Sequence, residues 1–257
     1  MKRDYGIDVY KIIATFMVFI LHISYQGGII RTVKYASSQY IWIRFLIAFA
    51  YCAVNCFGLA SGYLLVNKEF RYHRIINLWL EVSFYSLGIN VVFLFSNIGH
   101  VSLGNWIVAT FPVLLREYWY FTAYFGLFFF IPFFNRMIRV LKKKQQIILL
   151  LTIVVVISVL SSINRGFFYL KSGYSMLWLC ALYVVGGIIR QLNVHLTRKE
   201  KIIGIVWCII FALLAVLSRM AIHHLAIMIF GSPKFERGLY LYASSCTIHW
   251  NHNFIDI

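Results

Sequence analysis

The chain predicts an all-α fold, a polytopic bundle of seven or eight transmembrane helices with its N-terminus in the cytoplasm. Three observations carry that prediction. Apolar residues make up 61% of the 257 positions and charged residues 12%, against roughly 45–50% and 25% in ordinary globular domains. Mean hydropathy is +0.79. A chain of this size cannot bury so much apolar surface in its own core, so a lipid bilayer must cover it. The third observation is charge: 24 Lys and Arg against 8 Asp and Glu, a net +16, gathered mostly between the apolar runs.

Runs long enough to cross a hydrocarbon core of about 30 Å fall at residues 7–26, 44–66, 75–96, 119–138, 147–164, 174–191 and 202–222. The first holds Lys11 and His22 and has no small-residue cleavage site, so it reads as a retained span. An eighth run opens near Gly238 and gives way after Ser244 to a tail rich in His and Asn. The chain therefore reads as one membrane unit over 1–244 and an atypical polar tail over 245–257. The half-apolar connector 97–118, with Trp106, Phe111 and Pro112, is expected to dip back as a re-entrant segment. No internal repeat is found.

Charge sets the orientation. Alternate connectors hold fourteen basic residues, among them Lys68, Arg71, Arg74 and the triple Lys142-Lys143-Lys144, while the other set holds seven. The positive-inside rule puts the richer set, and the N-terminus, in the cytoplasm. In a soluble domain +16 would suggest nucleic acid; here it reads as topology, with the bilayer as partner and no nucleic acid. The predicted location is the inner (cytoplasmic) membrane, crossed several times. The five cysteines and the pairs His223-His224 and His249-x2-His252 lack the spacing of a metal site, and none is assigned.

The first span carries the most telling pattern. At 100° per residue from Lys11, Asp4 falls at about 20°, Asp8 at about 60°, Thr15 at about 40° and His22 at about 20°. One stripe about 60° wide thus gathers all five of these polar groups on an otherwise largely apolar helix. Such a stripe is expected to face a protein interior or a wet cavity. His22 lies about 16 Å along the axis from Lys11. A neutral imidazole there can accept a proton from a hydroxyl; the plainer alternative is a helix-bridging His, with Lys11 snorkelling.

Other polar positions have plain readings beside them. Gly58 and Gly62 form a small-x3-small pair suited to close helix packing, with Ser61 and Tyr63 as pocket or packing residues. Arg71 and Arg74 are either topology anchors or an anion site. Asn77 and Glu81 sit one turn apart, and the Glu81 carboxylate is expected to pair with a basic residue of a neighbouring helix. Tyr120, Tyr124 and Asn135 share one stripe, while Trp119 suits an interfacial aromatic belt.

Several motifs, in order, resemble one family. Lys11 through His22 matches a basic-x10-His signature, preceded by Tyr5-Gly6-Ile7-Asp8. There follow Asn55-Cys56-Phe57-Gly58-Leu59-Ala60-Ser61-Gly62-Tyr63, Phe70-Arg71-Tyr72-His73-Arg74, Tyr118 to Tyr124, and Pro132-Phe133-Phe134-Asn135. Over residues 3–140 the chain resembles the membrane acyltransferase-3 family; beyond that the similarity is mainly in hydropathy. The resemblance implies transfer of an acetyl or other acyl group from cytoplasmic acetyl-CoA to a hydroxyl of a cell-surface polysaccharide or glycan precursor. It implies His22 as the catalytic base with Lys11 as its basic companion, a Lys where Arg is commoner and so without bidentate phosphate recognition. Arg71, Arg74 and Lys68 would hold the acyl-CoA phosphates. Asp8, Thr15, Asn55, Ser61, Tyr63, Glu81, Trp119, Tyr120 and Tyr124 would line the pocket, with no bound cofactor beyond the donor substrate. About ten spans would then be expected, so the chain reads as shortened at its C-terminus. A transport or flippase component and an inactive remnant are the competing readings.

Overall fold

The structure, a computed structural model, describes residues 5–96, 102–113, 115, 118–160, 175–194 and 196–230. Asp4 of the polar stripe, the eighth run from Gly238 and the 245–257 tail lie outside the described residues. Within them the chain forms helices and turns, with no strand. In order these are α1 (Tyr5–Tyr25), α2 (Ile29–Thr32), α3 (Ser38–Ala50), α4 (Ala53–Leu65), α5 (His73–Ser96), α6 (Leu103–Thr110), α7 (Trp119–Val140) and α8 (Lys143–Thr152). A π-helical stretch Ile153–Leu160, α9 (Met176–Leu192) and α10 (Arg198–Phe230) complete them. Among the described residues, five stretches are long and apolar enough to cross a membrane: Tyr5–Tyr25, Ser38–Leu65, His73–Ser96, Trp119–Val140 and Arg198–Ile229.

The second span begins earlier than hydropathy indicates. Ser37 caps α3, its Oγ accepting from Tyr40 N at 3.1 Å, so helix starts among polar residues that an apolar window excludes. Tyr51 and Cys52 then interrupt the helix without leaving right-handed geometry, at φ −60°, ψ −21° and φ −78°, ψ −3°. The fifth run holds a different surprise. Ile153 to Ile157 are all β-branched and crowd an α-helical turn, and there the helix widens to π.

Helix α4 is the hub, with no exposed residue from Ala53 to Val66. It crosses α9 at a distance that only glycine permits. A Cβ on Gly62 would stand 1.9 Å from the Tyr183 carbonyl oxygen, and one on Gly186 would stand 2.1 Å from that of Leu59. The small-x3-small reading of Gly58 and Gly62 is thus a packing device. Around the crossing, Leu127, Phe128, Ile131, Leu179 and Tyr183 form the main core. Helix α1 lies antiparallel to α4: the Tyr25 hydroxyl meets that of Tyr51, Met17 packs on Ala50 and Ala53, and Tyr10 lies beside Cys56.

The connector after α5 does fold back. A capping box at Ser102 and Asn105 starts α6. Asn90 then donates to Asn105 O at 3.0 Å, and Ser83 to Thr110 O at 3.3 Å. The chain retraces about 20 Å of α5, thirteen residues at 1.5 Å each.

Candidate active site

The end of α4, the turn that follows, the start of α5 and the middle of α7 enclose a cavity of about 190 Å³. Its rim is basic, with Lys68, Arg71 and Arg74 beside the single carboxylate of Glu69. Its floor is Leu65, Phe70, Leu78, Phe128 and Ile131, with Tyr124 and Asn135 adding polar atoms. Local structure explains the convergence. Lys68 N closes a turn on Leu65 O at 3.0 Å, and Arg74 N closes another on Arg71 O at 3.2 Å. Between them the Phe70 ring packs 4.8 Å from Phe128 and 4.8 Å from Tyr72. That anchor holds the basic turn over the cavity instead of letting it splay.

Asn135 ties the cavity wall together. Only 2% exposed, it donates to Leu65 O at 3.0 Å and accepts from the Tyr183 hydroxyl at 2.7 Å. Both ends of its amide are therefore engaged, linking α4, α7 and α9. Arg139 donates to Asn135 O at 3.1 Å, bringing a further guanidinium close by.

From Tyr124 an aromatic column leads away along α7. The Tyr124 hydroxyl lies beside that of Ser61 and in the field of Arg74. Tyr120 stacks on Tyr124 at 6.2 Å, and Phe57 and Trp119 follow at 6.3 and 5.7 Å from Tyr120. Ser61 itself donates to Phe57 O at 2.9 Å. Two expected pocket residues do other work. Asn55 accepts from Trp178 Nε1 at 2.8 Å. Tyr63 accepts from Arg190 at 2.9 Å, with that guanidinium 4.8 Å over its ring. Both join α4 to α9.

The polar stripe of α1 does not turn inward against the described helices. Its packed face is Ala14, Met17 and Ser24, which lie about 60–140° around the helix from Lys11. Lys11, Thr15 and His22 are exposed and Asp8 is half-buried. The small Ala14 and Ser24 and the pliant Met17 let α1 approach α3 and α4, and that approach fixes the rotation. His22 accordingly does not line the basic cavity. Its Nδ1 bonds Gln26 Oε1 one turn on. Where Nδ1 donates to this carbonyl oxygen, Nε2 is the ring nitrogen left to accept. Gln26 was legible only as an i, i+4 neighbour. The expected partner of Glu81 is absent too: on the exposed face of α5 it has no charged partner among the described residues.

Because α1 and α4 are antiparallel, the axial order is clear. The basic cavity sits at the Leu65 end of α4, and His22 lies within about a turn of the Tyr25–Tyr51 contact at the other. Fourteen residues, from Tyr51 to Leu65, separate the two levels, about 21 Å. Sequence reasoning found Lys68, Arg71, Arg74 and Tyr124 but not Glu69, Phe70, Leu78, Phe128 or Ile131; Asn135 it placed only on the Tyr120–Tyr124 stripe. Among the described residues no three His, Cys, Asp or Glu side chains converge as metal ligands.

A bundle of membrane-length helices with a basic, aromatic-walled cavity at one end defines a multi-pass membrane protein. The acyltransferase-3 family model, described as an acyltransferase domain, matches residues 4–253, and the chain belongs to that family. It is a membrane acyltransferase. The match runs well beyond residue 140, so the second half shares the ancestry that its motifs alone did not reveal. No curated protein and no solved structure matches the chain.

Proposed function

We propose that the chain is an integral membrane O-acyltransferase that takes an acyl group, acetyl in the simplest case, from acyl-CoA. The acceptor is a hydroxyl of a cell-surface polysaccharide or its precursor, and the protein resides in the cytoplasmic membrane. The observation that carries the reading is the convergence of Lys68, Arg71 and Arg74 on one cavity. Coenzyme A offers phosphates to guanidinium and ammonium groups, while Phe70 and Phe128 supply apolar wall for its less polar parts.

In the reaction, His22 Nε2 takes the proton of the acceptor hydroxyl as its oxygen attacks the thioester carbonyl. The carbon–sulfur bond then breaks, and the leaving thiolate recovers the proton from the imidazolium. The products are the O-acyl ester and free CoA. Gln26 supports this role by fixing the imidazole tautomer. Lys11, on the same stripe, offers positive charge toward the donor side.

The test is purified protein in nanodiscs, given acetyl-CoA and a saccharide acceptor, with free CoA and O-acetyl ester both measured. The His22→Ala variant is expected to lose at least about 10²-fold in rate while inserting and melting as the parent does. Unchanged ester formation by that variant would overturn the base assignment. No thioester cleavage by the parent would overturn the donor assignment.

A further inference from the structure

Sulfur gathers where α1 packs against the break between α3 and α4. Cys56 N donates to Cys52 O at 2.9 Å, so the two side chains lie one helical turn apart, with Cβ atoms separated by about 5–6 Å. From α1 comes Met17, only 6% exposed, whose Sδ lies 3.8 Å from Cys52 Sγ. The Cys52 thiol has a second acceptor in Phe49 O at 3.1 Å. Cys56 lies beside both Cys52 and Tyr10. Two thiols and a thioether thus meet beside a phenol hydroxyl, in a place that neither the donor cavity nor His22 uses.

Spacing decides between a covalent bond and a bridged ion. A disulfide needs Cβ atoms about 3.5–4.5 Å apart, closer than one helical turn sets them. An ion between two sulfurs tolerates the longer span. A metal–sulfur bond of about 2.3 Å puts two sulfurs on one ion about 3.8–4.6 Å apart, from tetrahedral to linear geometry. The Met17–Cys52 separation of 3.8 Å falls in that range. The donor set decides the ion. Among the described residues no third Cys and no His, Asp or Glu completes a group with these two thiols. Zinc takes four such ligands, and calcium and magnesium take oxygen. Thiolate and thioether together suit Cu(I).

From this we infer that Cys52, Cys56 and Met17 form a three-sulfur site for a soft monovalent metal ion, Cu(I). The ion binds without change of oxidation state. Each cysteine gives up its thiol proton to solvent as its sulfur binds, and Met17 Sδ binds through a lone pair. Two thiolates on a singly charged cation leave one negative charge, and the Tyr10 hydroxyl beside Cys56 donates to it. Both cysteines are half-buried, which leaves the ion a way in from the side of the bundle. Met17 belongs to α1 and the cysteines to the α3–α4 rod, so the bound ion ties the two together. The tie lies five residues before His22, about 7.5 Å along the axis. The site stands on its own geometry and does not rest on the function proposed above.

Binding is measured on the full chain in phosphatidylcholine nanodiscs, without oxygen, by the fading of the coloured Cu(I)–bicinchoninate complex as protein is added. The parent should withdraw one Cu(I) per chain, and X-ray absorption should show only sulfur neighbours at about 2.3 Å. Cys52→Ser and Cys56→Ser should each weaken binding by about 100-fold or more, and Met17→Leu, which keeps the packing volume, by about tenfold. Cys208→Ser, at an exposed position of α10, should bind as the parent does. Melting temperature in the same discs shows whether each variant is folded, and Cys56→Ser carries the comparison should Cys52→Ser not fold. Cu(I) should raise the melting temperature of the parent and leave that of Cys56→Ser unchanged. Uptake undiminished in the Cys52→Ser and Cys56→Ser variants, or nitrogen among the neighbours of the ion, would overturn the site and assign the ion to histidines. Met17→Leu binding as tightly as the parent would overturn the three-sulfur site in favour of a bare thiol pair. Binding lost in Cys208→Ser would overturn it in favour of a bridge to α10.

Discussion

Replacing Gly62 by alanine probes the crossing on which the cavity wall depends. The added Cβ would stand 1.9 Å from the Tyr183 carbonyl oxygen, 2.8 Å from its carbon and 2.9 Å from Gly187 N. An ordinary carbon–oxygen contact is about 3.3 Å, so α4 and α9 must separate by roughly 1.4 Å. All three offending atoms are backbone, which no rotamer change relieves. Over-packing of this kind costs about 1–3 kcal/mol. The separation also pulls Tyr183 from Asn135, now 2.7 Å apart, and an unpaired buried polar group adds about 1–3 kcal/mol. For a chain of this length each kcal/mol moves the melting temperature by about 2–4 °C, so Gly62→Ala, at about 2–6 kcal/mol in all, should melt roughly 4–24 °C below the parent. Gly88→Ala and Gly204→Ala are the controls, because a Cβ at either position meets nothing within 4 Å. They should match or exceed the parent, since alanine favours helix by about 1 kcal/mol over glycine. Thiol-reactive dye melting in one detergent reads all three. A Gly62→Ala melt within about 2 °C of the controls would refute the close crossing and, with it, the geometry given for Asn135.

Three further outcomes are expected. Arg71→Gln with Arg74→Gln should raise the KM for acetyl-CoA by about tenfold or more, from loss of charge-assisted hydrogen bonds of about 1.5–3 kcal/mol each, and should flatten the salt dependence of donor binding. Asn135→Leu strands the Tyr183 hydroxyl and the Leu65 carbonyl, so its melting temperature should fall by about 4–24 °C; a melt equal to the parent would show that these bonds carry no net stability. Gln26→Leu should lower the rate and alter its pH profile while leaving donor KM unchanged, because it frees the imidazole tautomer without touching the basic cavity.

How much of this was legible in the sequence depends on whether a signal is local. Among the described residues, five of the predicted runs were legible as membrane-length helices because hydropathy over about 20 residues is a property of one segment. Lys68, Arg71 and Arg74 were legible as a group because seven residues of chain cannot carry them far apart. Phe128, Ile131 and Asn135 were not, since only the docking of α7 on α4 and α9 brings them to that turn. The rotation of α1 was the deepest failure. In a soluble helix the apolar face marks the core, but α1 is apolar both where it packs and where it meets lipid. The wheel therefore gave the angles among Asp8, Lys11, Thr15 and His22 correctly, yet not the direction in which the stripe points. That direction follows from Ala14, Met17 and Ser24, whose small or flexible side chains fit α3 and α4. Likewise the start of α3 was set by the Ser37 cap, which no hydropathy window weighs.

The separation between the basic cavity and His22 imposes a division of labour on any acyl transfer by this chain. Groups about 21 Å apart along the axis cannot act on the same few atoms, so the basic turn can bind only a remote part of the donor. Binding energy gathered there is then spent holding the thioester near the acceptor, which is how remote contacts raise kcat as well as affinity. Shortening the donor tests this without altering the protein. An acyl thioester that keeps the pantetheine arm but lacks the nucleotide should lose most of its kcat/KM with the parent. With the Arg71→Gln/Arg74→Gln variant, which has already lost those contacts, it should lose far less relative to acetyl-CoA. Equal losses in parent and variant would mean that the basic turn does not hold the nucleotide. The cluster of Lys68, Arg71 and Arg74 would then be explained by charge at a membrane surface alone.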